Sequence, residues 1–447
     1  MLLKNIPNYH KSRRESLLPT LKSENAGVFL LSNPELIRND DVSYLFRQDS
    51  TFFYFTGLNE PESAMLLLPS GELVVFIRTK DKEREIWDGE RYGVEGALGC
   101  FKADRAYPIS ELFTQLPKLV SNLDALYFKP GVGGTDKDTA TWNALQASKK
   151  AYGRSGRSVL TLKDPTAWFG ELRLVKSSEE ITHLREAARI SAAAHTTLMA
   201  TIKPGQNERE AEALVDYEMR RRGCDRLGYP SIVAGGKNAT CLHYHFNNEP
   251  LNSDDLLLVD AGGEVNYYTA DITRTFPIGR KFSETQKLVY EGVLEVQKQC
   301  IAMAKPGITL PEIHKFASIS LAKLAIKLGL FGAQENPEQL VESGAIKRFY
   351  PHGTGHFLGM DVHDAGRYLI DGKPRQLQQG ACFTIEPGFY VQPDDLEADA
   401  KFRGIGIRIE DDILLTANGC EVLTAGVVKE VADIEALRAQ AHEARTV

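Results

Sequence analysis

The stretch Leu256 to Phe276, LLLVDAGGEVNYYTADITRTF, runs four apolar residues straight into Asp260. A Gly262-Gly263 pair follows, then the β-prone run Val265 to Thr269 and a second isolated acid, Asp271. The pattern reads as strand, turn, strand, with the two acids opposite each other across a hairpin. A carboxylate closing a buried apolar strand is costly without a partner. Two of them about 5 Å apart also repel. A cation between them resolves both problems; two surface acids beside a turn is the plainer alternative.

Downstream, Pro351 to Asp364 carries His352, His356 and His363, three of the ten histidines within twelve residues. His352 and His356 have the spacing of a helical zinc pair. Gly353 and Gly355 between them argue instead for a loop entering a strand. Glu386 ends the apolar run Cys382 to Ile385 and precedes Pro387-Gly388. In Gly404 to Asp412, alternation puts Gly406, Arg408 and Glu410 on one strand face and Ile405, Ile407 and Ile409 on the other. Either acid alone fits a satisfied strand-end carboxylate. Together, Asp260, Asp271, His356, Glu386 and Glu410 are hard-to-borderline donors suited to Mn²⁺, Co²⁺, Fe²⁺ or Zn²⁺. Four negative charges balance two divalent cations, and without metal the carboxylates would raise one another's pKa values. Two metals roughly 3.5 Å apart that acidify a bridging water point to a hydrolase. A purely structural metal site fits less well, since oxygen-rich dinuclear sites keep positions open for water.

The 447 residues suffice for two or three domains. Apolar (43%) and charged (25%) contents are those of an ordinary globular protein. A net charge of −7 offers no basic surface for nucleic acid. The start MLLKNIPNYHKSRRES has no apolar core of a secretory signal, and no run approaches the ~20 apolar residues of a membrane span. The six cysteines are scattered without a CxxC pair, as in a reduced cytoplasmic protein.

Residues 1–173 read as one α/β domain and 174–447 as a second. The first opens with a helical stretch, Tyr9 to Lys22, followed by strands at Gly27 to Leu31, Phe52 to Phe55, Ala64 to Leu68 and Leu73 to Ile77. The aromatic segment Arg47 to Gly57 is expected in the core, and Trp87, among charges, at the surface of a subunit contact or substrate rim. In the second domain, Ser177 to Glu180 is a capping box opening a helix that stops at Lys203-Pro204-Gly205; another runs from Asn207 to Gly223. The plan returns with a cap at Ser283, a stop at Lys305-Pro306-Gly307, and a helix from Leu310 to Leu330. Helix, KPG, helix occurring twice suggests two similar α/β halves. Ile434 to Arg445 reads as a surface helix.

The motifs VDAGGEVNYYTADITRTF, HGTGHFLGMDVHD, TIEPGFY and RGIGIRIEDD resemble those of the pita-bread metallopeptidases, and specifically the bacterial aminopeptidase P branch. YLFRQDSTFFYFTGLNEPES resembles the amino-terminal domain of that branch, so the likeness spans nearly the whole chain. The resemblance implies a pita-bread domain of two α/β halves around a strongly curved, mostly antiparallel sheet. It implies two divalent ions per subunit, Mn²⁺ foremost, with Asp271 and Glu410 bridging, Asp260 on one ion, and His356 and Glu386 completing a shell. Glu386 would also handle the proton of a metal-bridging hydroxide. His243, His352 and His363 match substrate-contacting and proton-handling histidines, Arg408 a supporting arginine; His245 departs from the usual pattern. The implied reaction is hydrolysis of the bond between a first residue and a following proline, in a homodimer or homotetramer. A prolidase restricted to dipeptides shares the same site. Methionine aminopeptidases lack such an amino-terminal domain, and metal-free relatives and histone-chaperone modules lack the five ligands.

Overall fold

Ala26–Leu31, buried along its whole length, is an inner strand of a six-stranded sheet. The sheet order is Arg105–Pro108, Leu73–Ile77, Ala64–Leu67, Ala26–Leu31, Ala125–Phe128, Thr161–Lys163. The three strands from Ala26 to Ile77 pair antiparallel and the flanking ones parallel. The computed structural model describes residues 7–152 and 161–443, which divide into two compact units, Met1–Phe169 and Gly170–Val447. The helical start is two short helices, Tyr9–Glu15 and Leu18–Glu24. Phe52 to Phe55 is not a strand. It lies in the helix Ser50–Thr56, which Asp49 caps by accepting from the Phe52 amide and Gly57 ends in the left-handed conformation. All seven residues of this helix are buried, so no polar face marked its period. Trp87 is 83% exposed.

The second unit is built on four long helices, Ser178–Thr201, Glu208–Arg221, Glu284–Met303 and Leu310–Lys327. Each opens with a reciprocal capping box, led by Ser177, Asn207, Ser283 and Thr309. Each helix pair is followed by an antiparallel strand triplet. The first is Ile232–Gly235, Leu256–Asp260 and Thr273–Pro277; the second is Cys382–Ile385, Asp411–Leu415 and Cys420–Val422. Thr275 joins the halves, its hydroxyl donating to the Arg408 carbonyl and accepting from the Arg408 amide.

The hairpin around Asp260 and Asp271 differs from expectation. Leu256–Asp260 pairs with Thr273–Pro277, and Asp260 sits opposite Thr273. The residues between form their own small hairpin, in which Val265 pairs with Tyr268. Asn266 and Tyr267, with φ of 48° and 74°, make its two-residue turn. Gly262 is needed for closeness rather than for turning: a Cβ there would strike the Ala270 carbonyl. Asp271 therefore lies just beyond the ladder, and the two acids converge without being cross-strand partners.

The C-terminal helix, Val431–Glu443, is not a simple surface helix. Ile434 and Arg438 are fully buried, and the Arg438 guanidinium donates to the carbonyls of Met199, Ile202 and Ile278. Residues 444 and 445 of the expected stretch lie outside the described residues. Among the described residues, no helix is long and apolar enough to cross a membrane.

Candidate active site

One cavity of about 430 Å³ gathers Asp260, Asp271, His356, Glu386 and Glu410 with His243, His352, His363 and Arg408. Asp260 ends one strand, Glu386 follows Cys382–Ile385, and Glu410 sits between Gly406–Arg408 and Asp411–Leu415. Strand ends thus deliver carboxylates from both halves. His356 comes from an irregular loop tied to the sheet by the isolated bridge between Phe357 and Phe383. Donor atoms of Asp271, His356 and Glu410 lie within 4.8 Å of one another. Glu386 Oε1 stands 3.7 Å and Asp271 Oδ2 3.3 Å from His356 Nε2.

His356 Nδ1 is 3.1 Å from the Phe357 carbonyl. A carbonyl only accepts, so Nδ1 carries a proton; Nε2, which faces Asp271, is protonated while no cation is present and would turn its lone pair to a bound ion. Arg408 Nη2 donates to Asp260 Oδ2 at 2.5 Å. Arg408 Nε donates to Thr273 Oγ1, which donates to Glu410 Oε2 at 2.7 Å. His352 is fully engaged: Nδ1 meets the Gly353 carbonyl at 2.7 Å and Nε2 the Tyr390 hydroxyl at 2.8 Å. Burial, with Arg408 nearby, pushes its pKa down to about 3, so it is a neutral imidazole. His243 and His363 are exposed on the cavity rim.

The donor set fits divalent cations. Burial, with Asp271 and Glu386 alongside, drives the Glu410 carboxyl well above its usual range. Burial also raises Asp271, and lifts Glu386 to about 7 despite the pull of His356 and Arg408. Burial disfavours the charged form of His356, but the hydrogen bond and charge of Asp271 outweigh it and raise the pKa to about 9. Without a cation these groups hold protons that a divalent ion would displace. The sign of the pH dependence follows. In metal-stripped protein, folded Glu386 keeps its proton to about pH 7 against 4.5 for the ordinary group. The folded state then binds more protons than the unfolded, so stability falls as pH rises through that window. His356 acts in the same sense from 6.5 to about 9. His352, whose lowered pKa acts in the opposite sense below 6.5, sets the lower bound. Urea denaturation with chelator present should therefore show stability falling between about pH 6.5 and about pH 8, and metal should remove that fall.

Three contributors escaped the sequence reading. The Tyr229 hydroxyl lies 2.7 Å from Asp260 Oδ1 and 2.5 Å from Asp271 Oδ1, linking the two acids. Tyr390 bridges His352 and Arg408. Thr273 connects Arg408 to Glu410. Only Thr273 left a trace, as a polar residue alternating with Thr275 in a wholly buried strand.

Residues 182–417 match the model of metallopeptidase family M24, and residues 10–127 that of the aminopeptidase P N-terminal domain. A Xaa-Pro aminopeptidase of Haemophilus influenzae is 40% identical over 439 residues, 97% of each chain. Aminopeptidase PepP of Pseudomonas aeruginosa superposes with a TM-score of 0.94 at 41% identity, covering 99% of this chain and 100% of that one. Escherichia coli aminopeptidase P, solved with the inhibitor Pro-Leu, gives 0.93 at 37% identity, covering 98% and 100%. The architecture is an amino-terminal α/β domain followed by a pita-bread domain, as the motifs implied. The ordered convergence of acids and one imidazole, the two-half fold and these likenesses agree: the chain belongs to metallopeptidase family M24.

Proposed function

We propose that this chain is a two-metal aminopeptidase that removes the first residue from peptides with proline in second place. The observation that carries this reading is the gathering of five metal-type ligands in a cavity large enough for a peptide end. Full-length similarity to Xaa-Pro aminopeptidases supports it. Two divalent ions, Mn²⁺ foremost with Co²⁺, Fe²⁺ or Zn²⁺ as alternatives, would be held by Asp271 and Glu410 between them. Asp260, His356 and Glu386 would complete their shells. When bound, such ions polarise the scissile carbonyl and acidify the attacking water.

The chain's own residues do the rest. Glu386 takes a proton from the water and hands it on. Arg408 fixes the orientation of Asp260 through its 2.5 Å bond. His243 and His363, both open to the cavity, meet the substrate. The bond to proline is a tertiary amide whose leaving group is a secondary amine, so it must be protonated as it departs; a rim imidazole is suited to that. His352, with both nitrogens engaged, acts by holding Tyr390 and the cavity wall. Pro230, Ile232, Leu242 and Val362 give that wall an apolar side for the pyrrolidine ring. Dependence on amide geometry predicts preference for the trans isomer. The six free cysteines support a reducing, cytoplasmic setting, and the exposed Trp87 supports a dimer or tetramer.

With Mn²⁺ added, free amino acid should be released from Xaa-Pro-Xaa peptides and not from their Xaa-Ala-Xaa counterparts. Cleavage of the alanine peptides with the proline ones untouched would overturn the proposal. Activity confined to Xaa-Pro dipeptides would correct it to a prolidase.

A further inference from the structure

Glu208 is the first residue of the helix Glu208–Arg221, and it is fully buried. Its carboxylate accepts four hydrogen bonds. Oε1 takes the Gly235 amide at 2.7 Å and Asn238 Nδ2 at 2.9 Å. Oε2 takes the Tyr244 hydroxyl and the Glu249 amide, each at 2.9 Å. Among the described residues all four partners are neutral, so the charge rests on oriented dipoles and the helix N-terminus. A buried, unpaired carboxylate is an expensive way to cap a helix that Asn207 already caps. What its four donors share is their place in the chain: they bracket the segment 235–249.

That segment carries His243 and His245. Tyr244 between them is buried and points to Glu208, whereas both histidines are exposed and line the cavity, their rings 6.3 Å apart. With Tyr244 held inward, its two neighbours stay exposed. The far end of the segment is fixed by Asn247, which accepts from the Val233 amide at 3.0 Å and donates to the Ser231 carbonyl at 2.9 Å. The Glu208 amide also donates to the Glu249 carbonyl.

We propose that Glu208 is a positioning residue: through Tyr244 it aims the His243 imidazole at the substrate. This rests on the reading of His243 as substrate-facing. Glutamine in place of Glu208 keeps the shape but must turn its NH₂ toward one pair of donors. Each pair contains a backbone N–H, of Gly235 or Glu249, that has no way to reverse.

The test compares wild type, Glu208→Gln, His243→Ala and the double variant. Metal content should be equal in all four. Glu208→Gln should lower kcat/KM on a Xaa-Pro-Xaa peptide by up to about 100-fold in the wild-type background. In the His243→Ala background it should cost little, because the two act as one. In metal-free protein, NMR should show the His243 imidazole signal, identified by its loss in His243→Ala, shifted by Glu208→Gln. An unmoved His243 signal, or an equal penalty in both backgrounds, overturns the proposal. Were wild type inactive on proline peptides, the substrate reading would fall and the NMR signal alone would decide the positioning role. If Glu208→Gln does not fold, Tyr244→Phe removes one of the four donors and should act in the same direction with smaller effect.

Discussion

Replacing Asp271 with alanine is expected to lower kcat/KM by about 1000-fold, which is several kcal/mol of transition-state stabilisation. Asp271 lies at the crossing of the site. It faces His356 Nε2 at 3.3 Å, accepts from Tyr229, and its amide donates to Asp412. If Asp271 is a shared ligand, as proposed, its loss should also empty the site. Metal analysis after dialysis should find the variant depleted. Its stability should respond in the opposite direction. Burial and the neighbouring Asp260 already push the Asp271 carboxyl up, so metal-stripped Asp271→Ala should melt no lower than metal-stripped wild type. A variant that keeps its turnover would contradict the assignment.

The second large effect is on folding. Asp364 lies between Arg173 and Lys176, and all three side chains are at most 4% exposed. Lys176 Nζ is 2.7 Å from Asp364 Oδ2, and Arg173 also reaches Asp361 at 2.7 Å. The Asp364 amide donates to the Phe357 carbonyl, closing the loop that carries His363 and directly follows His356. Asp364→Asn takes the anion from buried Lys176 and leaves Arg173 with Asp361, which should cost about 3–5 kcal/mol. Urea denaturation of metal-free protein checks this without involving the ligands; an unchanged midpoint would contradict it. Burial alone would raise the Asp364 carboxyl, but Arg173 and Lys176 prevail and hold it below 3.8. Its contribution is therefore present above that value and is lost as pH falls through the lower, folded one.

Much of this was legible because local chemistry is written locally. Capping boxes at Ser177 and Ser283 and the KPG stops mark helix ends by short-range hydrogen bonds, and the helices began and ended near them. The four candidate acids could be picked out because carboxylates at the ends of apolar strands are rare without cause, and His356 because it lies in a glycine-rich run with three histidines. Register was harder. Gly262-Gly263 looked like a hairpin turn, yet the turn is Asn266-Tyr267, and glycine at 262 serves a close backbone approach. The aromatic run at Phe52 was misread because a helix buried on every side loses its period. Tyr229, Tyr390 and Glu208 were invisible: each acts on residues far along the chain, at separations that only the fold brings within 3 Å.

The two-metal reading requires that Asp260, Asp271, His356, Glu386 and Glu410 hold two ions that the reaction needs. Titrating metal-stripped protein with Mn²⁺ while measuring bound ions and peptide turnover tests it most directly. Turnover should be absent without metal and should rise to a plateau as occupancy approaches two ions per chain. Full turnover in protein shown to be free of metal would contradict it.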